Sequence, residues 1–509
     1  MAEHKFTVAL NAATFPLVTK FQPRSVVIGG LDNKLRNPAS TANSNQDNNP
    51  QNLPQVLYCE NVMPTDEGVA SVGYAQLQAQ VASATAFDEV FILRNEFEDT
   101  AFFSPALGLN YVTSAFGVAW ASTDPLATAP ETAEVSVAYV NGVTFVCYSR
   151  VALLQWDGTN LNDVSASLAG TAIADIVAIT GSANYLLALT TDLSVKWSSL
   201  VDPLDFVPSD TTGAGSQIPA DLRGKGICLT AIVGGFIYHC TQNAVAALYT
   251  NNSSAPWVFR EIKNAGGISS RKHVTTDNNS GATFIWGTNG FQQLNLREAE
   301  NQFPALTDYL AGYIKETFDG STNLLTVTRL ATPYAVKLAY VAGRYLVASY
   351  GEVSAGLYQY ALVYDNGLKR WGKLKVNHED CFSGYFGARQ SICFLDNNGV
   401  VNSAILDDRT GTDSGVLILG RYQISRTAQI CSQELELECL DSADNPTVIV
   451  STSYNGTTVG EQLPMVVYSN TGNYRCYQKQ IEGENLSFIL KGGFHLATAL
   501  ITATKGARF

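Results

Sequence analysis

From about residue 85 onward the chain repeats one local pattern: an apolar, β-prone run, a tight turn, and a second apolar run coming back. The run starting at Val135 meets Asn141-Gly142, a dipeptide that accepts the positive φ angles of a two-residue hairpin, and returns through Phe145 and Val146. Ile173 to Ile179 turns through GSAN into Tyr185 to Thr190, and Ile227 to Val233 meets Gly234-Gly235. His273 to Thr276 passes DNNSG into Ala282 to Trp286. Val336 to Val341 meets Ala342-Gly343, and Cys381 to Tyr385 turns near Gly387 and returns as Ser391 to Leu395. A further turn then opens a third strand, at Asp157-Gly158, Asp192, Asn243, Asn289-Gly290, Asn366-Gly367 and Asn397-Asn398-Gly399. A chain built this way cannot be a helical bundle or a parallel α/β sheet.

These meander units recur at intervals of roughly 40–60 residues, the spacing of propeller blades. The expected fold is all-β: a β-propeller of about six or seven blades over 85–420, with an N-terminal extended segment over 1–84 and a C-terminal β-sandwich over 421–509. Strand spacing alone leaves stacked sandwiches open as the alternative. No GH…WD pair and no regular double-glycine signature marks the blades as WD40 or kelch repeats. The one stretch with helical spacing lies between Ala299 and Asp319, where Leu306, Tyr309, Leu310 and Tyr313 fall on one face. Toward the C-terminus, Glu434 to Glu438 alternates strictly and predicts a strand with one acidic face, either solvated or a docking edge. The stretch Asn37 to Pro54 carries almost no apolar side chains, so it predicts either a surface loop or an arm ordered against a neighbouring subunit.

Charge and cysteine usage narrow the function. With 32 Lys and Arg against 45 Asp and Glu, the net charge is -13. Phosphate-tracking proteins hold nucleic acid by releasing counterions through Lys and Arg, so a tight nucleic-acid grip is not expected. Nine cysteines with no CxxC pair, several within apolar runs (Cys147, Cys228, Cys240, Cys393), predict buried reduced thiols rather than a disulfide framework. No apolar run approaches a membrane helix, and Asn11, Thr14 and Pro16 interrupt the mildly apolar start, so neither membrane insertion nor a secretory leader is expected.

Motifs for chemistry are missing or broken. His378-Glu379-Asp380-Cys381 concentrates potential ligands, but consecutive strand residues point to opposite faces, so it predicts a polar loop, not a metal site. No HExxH and no G-x-S-x-G elbow occurs, and GAGS at Gly213 lacks the lysine of a phosphate loop. Ser453-Tyr454-Asn455-Gly456 departs from the Asp box of sialidase propellers at the acidic position. The expectation is a non-enzyme with no cofactor and no metal.

The stretch Lys196 to Tyr249 adds more. Trp197-Ser198, Asp202-Pro203, Phe206, Pro208-Ser209, Asp221-Leu222-Arg223-Gly224 and Ala246-Ala247-Leu248-Tyr249 resemble the core signature of the tail nozzle, or packaged-DNA-stabilisation, proteins of short-tailed double-stranded DNA phages. Phe259-Arg260-Glu261, Gly266-Gly267-Ile268, Ala361 to Asp365 and Arg370-Trp371 continue the likeness, as does ENVMPTDEGVASVGY, ending at Tyr74, which is similar to an N-x-x-P-x-x-G turn. The resemblance implies a propeller subunit in a homohexameric ring below a tail adaptor, with tail fibre, spike or needle proteins as further partners. It also implies a virion location after assembly in the host cytoplasm, and transient passage of duplex DNA without sequence reading. The implied structural positions are Trp197, Ser198, Asp202, Pro203, Phe206, Asp221, Arg223, Gly224, Tyr249 and Trp371. Isolated subunits are then expected to be monomers that form rings only on the adaptor. Acidity suits a conduit wall that must not hold phosphates, and Asp192, Asp202, Asp205 and Asp210 are the candidate lumen residues. The alternatives are a tail-associated propeller enzyme acting on host surface glycans and a propeller interaction scaffold.

Overall fold

The computed structural model describes residues 3–9, 26–27, 56–77, 89–93, 99–104, 108–112, 134–157 and 161–405 (except 183, 220–221, 232–235, 251–256, 278–279, 312–313, 387–388 and 398–399), then 415–423, 430–440, 446–454, 457–463, 466–468, 473–483 and 485–505. Six small antiparallel sheets, and the first four strands of a larger one, follow one another along the chain as the seven blades of a β-propeller. Blade 1 holds Glu89–Leu93, Asp99–Ser104 and Gly108–Val112; blade 2 holds Val135–Val140, Val143–Tyr148, Ala152–Trp156 and Leu161–Asp163. Blade 3 holds Ile176–Gly181, Leu186–Thr190, Val195–Trp197 and Gly215–Gln217; blade 4 holds Gly226–Leu229, Phe236–Thr241, Val245–Thr250 and Trp257–Glu261. Blade 5 holds Val274–Thr276, Thr283–Gly287, Gly290–Leu294 and Ala299–Asn301; blade 6 holds Ala335–Val341, Tyr345–Gly351, Tyr358–Asp365 and Arg370–His378. Blade 7 combines Asp380–Phe386, Arg389–Leu395 and Val401–Ile405 with Gly73–Leu77 from the start of the chain. That borrowed strand ties the N-terminal part of the chain to the last blade.

The hairpins form for the reason their residues suggest. Val140 pairs with Val143 across a turn in which Asn141 (φ 51°) and Gly142 (φ 83°) both adopt left-handed geometry. Both faces of a blade are buried against neighbours, so alternate residues divide between two cores. Leu186 and Ala188 of blade 3 pack with Ala138, Val140 and Phe145 of blade 2. Leu187 and Leu189, one residue along, pack with Leu229, Ile237 and Leu248 of blade 4. This is why the strands read as continuous apolar runs.

The segment 1–84 is not a separate unit. Glu3–Ala9 pairs with His495–Lys505 over seven residues, while Val26–Val27 and Val56–Glu60 both pair with Gly415–Gln423. These strands are built into the C-terminal sandwich. One of its sheets runs through Ile430–Cys439, Asn473–Gly483 and His495–Lys505, and the other through Gly415–Gln423, Thr447–Tyr454, Thr457–Leu463 and Asn485–Gly492. Leu435, Leu437, Ala499 and Ile501 of the first sheet and Leu417, Val448, Phe488 and Leu490 of the second are fully buried. The acidic ladder alternates as expected, with Leu435 and Leu437 inward and Glu438 exposed. Its strand is paired on both sides, so it is not a docking edge.

The helical stretch is shorter than its spacing suggests. A helix covers Pro304–Ala311 and buries Leu306, Tyr309 and Leu310, whereas Ile314–Asp319 forms a hairpin with Leu324–Arg329. Tyr313 and the Asn37 to Pro54 stretch lie outside the described residues.

Candidate functional site

The signature residues gather chiefly at one place, the long connection between the third and fourth strands of blade 3. Asp202-Pro203 starts a tight turn there, and Asp205-Phe206 sends the chain back toward blade 2. Ser199 N–H donates to the Asp205 carbonyl (2.7 Å), and Leu200 N–H to the Thr212 carbonyl (3.0 Å). Phe206 N–H donates to the Ala169 carbonyl and Ala169 N–H to the Leu204 carbonyl, which staples the loop to the segment leaving blade 2. The Phe206 side chain is 1% exposed and fills the core between blades 2 and 3. Gly170 (φ 75°) lies under it, where a Cβ would stand 2.5 Å from the Phe206 carbonyl carbon. Trp197 closes the far side: its Nε1–H donates to the Gly213 carbonyl at 2.9 Å, and its ring leaves no room for a side chain at Gly215. Ser198, fully buried, accepts the Leu186 N–H on its hydroxyl.

The carboxylates of this loop serve the turns. Asp202 Oδ1 accepts Leu204 N–H (2.9 Å) and Asp205 Oδ1 accepts Val207 N–H (3.0 Å). Asp202 and Asp210 are exposed and Asp205 is half-buried. Asp192 does not join them. Thr191 N–H donates to the Asp175 carbonyl, so its turn lies at the end of blade 3 where the inner strand starts, while the Asp202 to Asp210 loop leaves the opposite end. Asp192 accepts the Thr190 and Ser194 hydroxyls and the Ser194 N–H. The Thr190 hydroxyl above all holds this carboxyl below its usual range. The four candidate lumen residues therefore do not form one surface.

The remaining signature positions fall elsewhere. Gly224 (φ 93°) packs against the Asn243 amide; the Arg223 carbonyl accepts the Thr241 hydroxyl while its side chain is exposed; Tyr249 is half-buried in blade 4. Asp221 lies outside the described residues. Trp371 lies tilted against Tyr364 and edge-on to Phe303, at centroid distances of 5.0 Å each. Its neighbour Arg370 donates to the Thr65 and Gly68 carbonyls at 3.0 and 3.1 Å. That contact holds the Asn61 to Gly68 turn onto blade 6, and Gly68 is required because a Cβ there would lie 1.9 Å from the Leu496 carbonyl oxygen.

Two charged clusters were not read from sequence. Asp380, a residue of the dense ligand stretch, pairs with Lys337 of blade 6 at 2.7 Å and accepts Val90 N–H of blade 1 at 2.7 Å. His378 is fully buried between the Ser349 hydroxyl and the Val376 carbonyl, and burial above all pushes its pKa down to about 4. The stretch is a strand end woven into three blades, not a polar loop, because its four side chains divide between opposite faces. The second cluster lies where blade 6, the inserted helix and hairpin, and the sandwich meet. Lys373 pairs with Glu316 (3.2 Å) and sits over the Tyr58 ring (4.5 Å), while the Tyr309 hydroxyl donates to Glu316 (3.1 Å). Lys375 pairs with Glu60 at 3.0 Å. The Lys373–Glu316 and Lys375–Glu60 pairs join residues 57 and 315 apart in sequence, so no local motif announces them.

Among the described residues no group of three or more His, Cys, Asp or Glu is placed to hold a metal ion. Cys59, Cys147, Cys228, Cys240, Cys381, Cys393 and Cys439 are buried, and no described helix is long and apolar enough to cross a membrane.

No protein-family model matches the chain, and no curated protein does. Similar solved structures include YCF48 from Cyanidioschyzon merolae (12% identity, covering 65% of this chain and 98% of that one, TM-score 0.40). Virginiamycin B lyase from Staphylococcus aureus is 11% identical, covering 66% and 99%, with a TM-score of 0.40. BamB from Moraxella catarrhalis is 12% identical, covering 68% and 93%, with a TM-score of 0.37. The propeller assignment stands on the strand topology described above.

Proposed function

We propose that the chain is a structural subunit of a phage tail nozzle, a propeller that assembles with copies of itself below a tail adaptor and forms part of the conduit for packaged DNA. The observation that carries this reading is the use made of the signature residues. Trp197, Ser198 and Phe206 do not line a cleft; they fix a loop whose outward side chains are apolar and acidic. A motif that builds a rigid surface suits assembly rather than turnover. The net charge of -13 suits a wall that DNA must pass, since each phosphate paired with Lys or Arg would add a counterion-release contribution and slow passage. Asp192, apart from the other three aspartates, is the candidate for that wall.

Particles produced by the encoding phage with this gene deleted test the reading. The expected result is filled heads that lose their DNA, with tails shortened at the distal end. Tails of full length that retain DNA would overturn it.

A further inference from the structure

Three of the eight large hydrophobic side chains exposed among the described residues stand within eight consecutive positions of the blade 3 loop: Leu200 (44%), Val201 (85%) and Val207 (47%). Such side chains on a loop held by many backbone hydrogen bonds form a preorganised contact surface, because little ordering entropy remains to be lost on docking. The charge around them has one sign. From Leu200 to Asp210 the chain carries Asp202, Asp205 and Asp210 and no Lys or Arg, a net charge of -3. The stretch Arg223 to Thr276 carries Arg223, Lys225, Arg260, Lys263, Arg271 and Lys272 against Glu261 alone, a net charge of +5. Arg223, Lys225, Arg260 and Lys263 are exposed and form no ion pair among the described residues. Gln242 N–H donates to the Lys225 carbonyl and Ile262 N–H to the Val245 carbonyl, which places Lys225 and Lys263 at the end of blade 4 where its inner strand starts. The acidic, apolar loop leaves the opposite end of blade 3.

We infer that a second copy of this chain occupies the blade 3 loop, presenting the basic end of its blade 4. Surfaces of opposite charge at opposite ends of the blades cannot meet within one molecule; between two copies they meet head to tail. Such a heterologous contact repeats from copy to copy and closes into a ring where the rotation allows. Leu200, Val201 and Val207 supply the apolar centre, while Asp202, Asp205 and Asp210 face Arg223, Lys225 and Lys263 at the rim. Rim charges govern encounter and salt dependence more than final strength, so the contact is weak in isolation and gains from the multiplicity of a ring. The inference rests on the nozzle reading only in that copies assemble, and it assigns the three loop aspartates to this contact rather than to the conduit.

Sedimentation velocity of the full chain tests it, at ~10 mM salt, where charges act over about 30 Å, and at ~1 M, where they act over about 3 Å. Wild type is expected to associate at the lower salt, in place of the monomers that the family resemblance implies away from the adaptor, and to be monomeric at the higher. Asp202→Asn/Asp205→Asn/Asp210→Lys keeps the carbonyl acceptors that the turn amides need while removing the negative charge; Arg223→Glu/Lys263→Glu reverses the other surface. Each variant alone is expected to stay monomeric, an equal mixture of the two to associate again, and Val201→Ser to weaken association about tenfold. Monomeric wild type at low salt, variants that associate as wild type does, or a folded mixture that stays monomeric would each overturn the inference. Because the readout needs no particles, head-to-tail association by a chain absent from virions would reject the nozzle reading and leave this contact standing.

Discussion

The Val90 amide donates to Asp380 Oδ2 at 2.7 Å, which joins the inner strand of the first blade to that of the last. Asp380 Oδ1 meanwhile pairs with Lys337 of blade 6, so one carboxylate holds three blades together. Replacing Asp380 by Asn should leave the Lys337 ammonium buried without its counter-charge, at a cost of about 3–5 kcal/mol. Lys337→Met combined with Asp380→Asn removes both charges and should cost less than Asp380→Asn alone. Thermal denaturation of the three variants checks both statements.

Phe206 anchors the blade 3 loop from inside the core. Phe206→Ala should cost about 3–5 kcal/mol and release the amides of Ser199, Leu200 and Phe206 to hydrogen exchange. Exchange measured residue by residue should show this loss of protection within blade 3 and little change in the sandwich.

His239 is fully buried in blade 4, and neither ring nitrogen has a hydrogen-bond partner among the described residues. Burial pushes its pKa down to about 4. The folded state thus refuses a proton that the unfolded chain accepts near pH 6.5, so stability is full above that pH and falls as the pH drops toward 4. His239→Leu should remove about 3 kcal/mol of that acid destabilisation. Chemical denaturation at pH 7 and pH 4 should show the smaller difference in the variant; equal differences would contradict it.

The buried thiols should be inert in the native state. Burial pushes Cys147 and Cys393 up to about 12. Cys228 is raised by its hydrogen bond to Cys240, its partner across the adjacent strand, and by burial. A thiol reagent at neutral pH should leave these cysteines unmodified until the protein is denatured, as read by mass spectrometry of labelled peptides.

The blades were legible in the sequence because their signals are local. Asn141-Gly142 can hardly be read otherwise, and apolar runs on both sides of such turns specify strands buried on two faces. Less legible was everything that joins distant segments. Gly73–Leu77 completes blade 7 some 300 residues before the strands it joins, and Glu3–Ala9 enters the sandwich from the other end of the chain. The loop from Trp197 to Gly215 was recognisable as a motif, but which of its side chains point outward depends on Phe206 entering the core between two blades. Closeness in sequence groups Asp192 with Asp202, Asp205 and Asp210. The reversal of direction at each strand puts its turn at the other end of the blade.

Cryo-electron microscopy of phage particles assembled with this chain tests the proposed nozzle role most directly. The account predicts a ring of seven-bladed propellers at the end of the tail distal to the head, with the Leu200 to Asp210 loop of one copy on blade 4 of the next and no basic surface facing the channel. Particles whose tails contain no such ring, or a ring with Lys and Arg lining the DNA path, would contradict it.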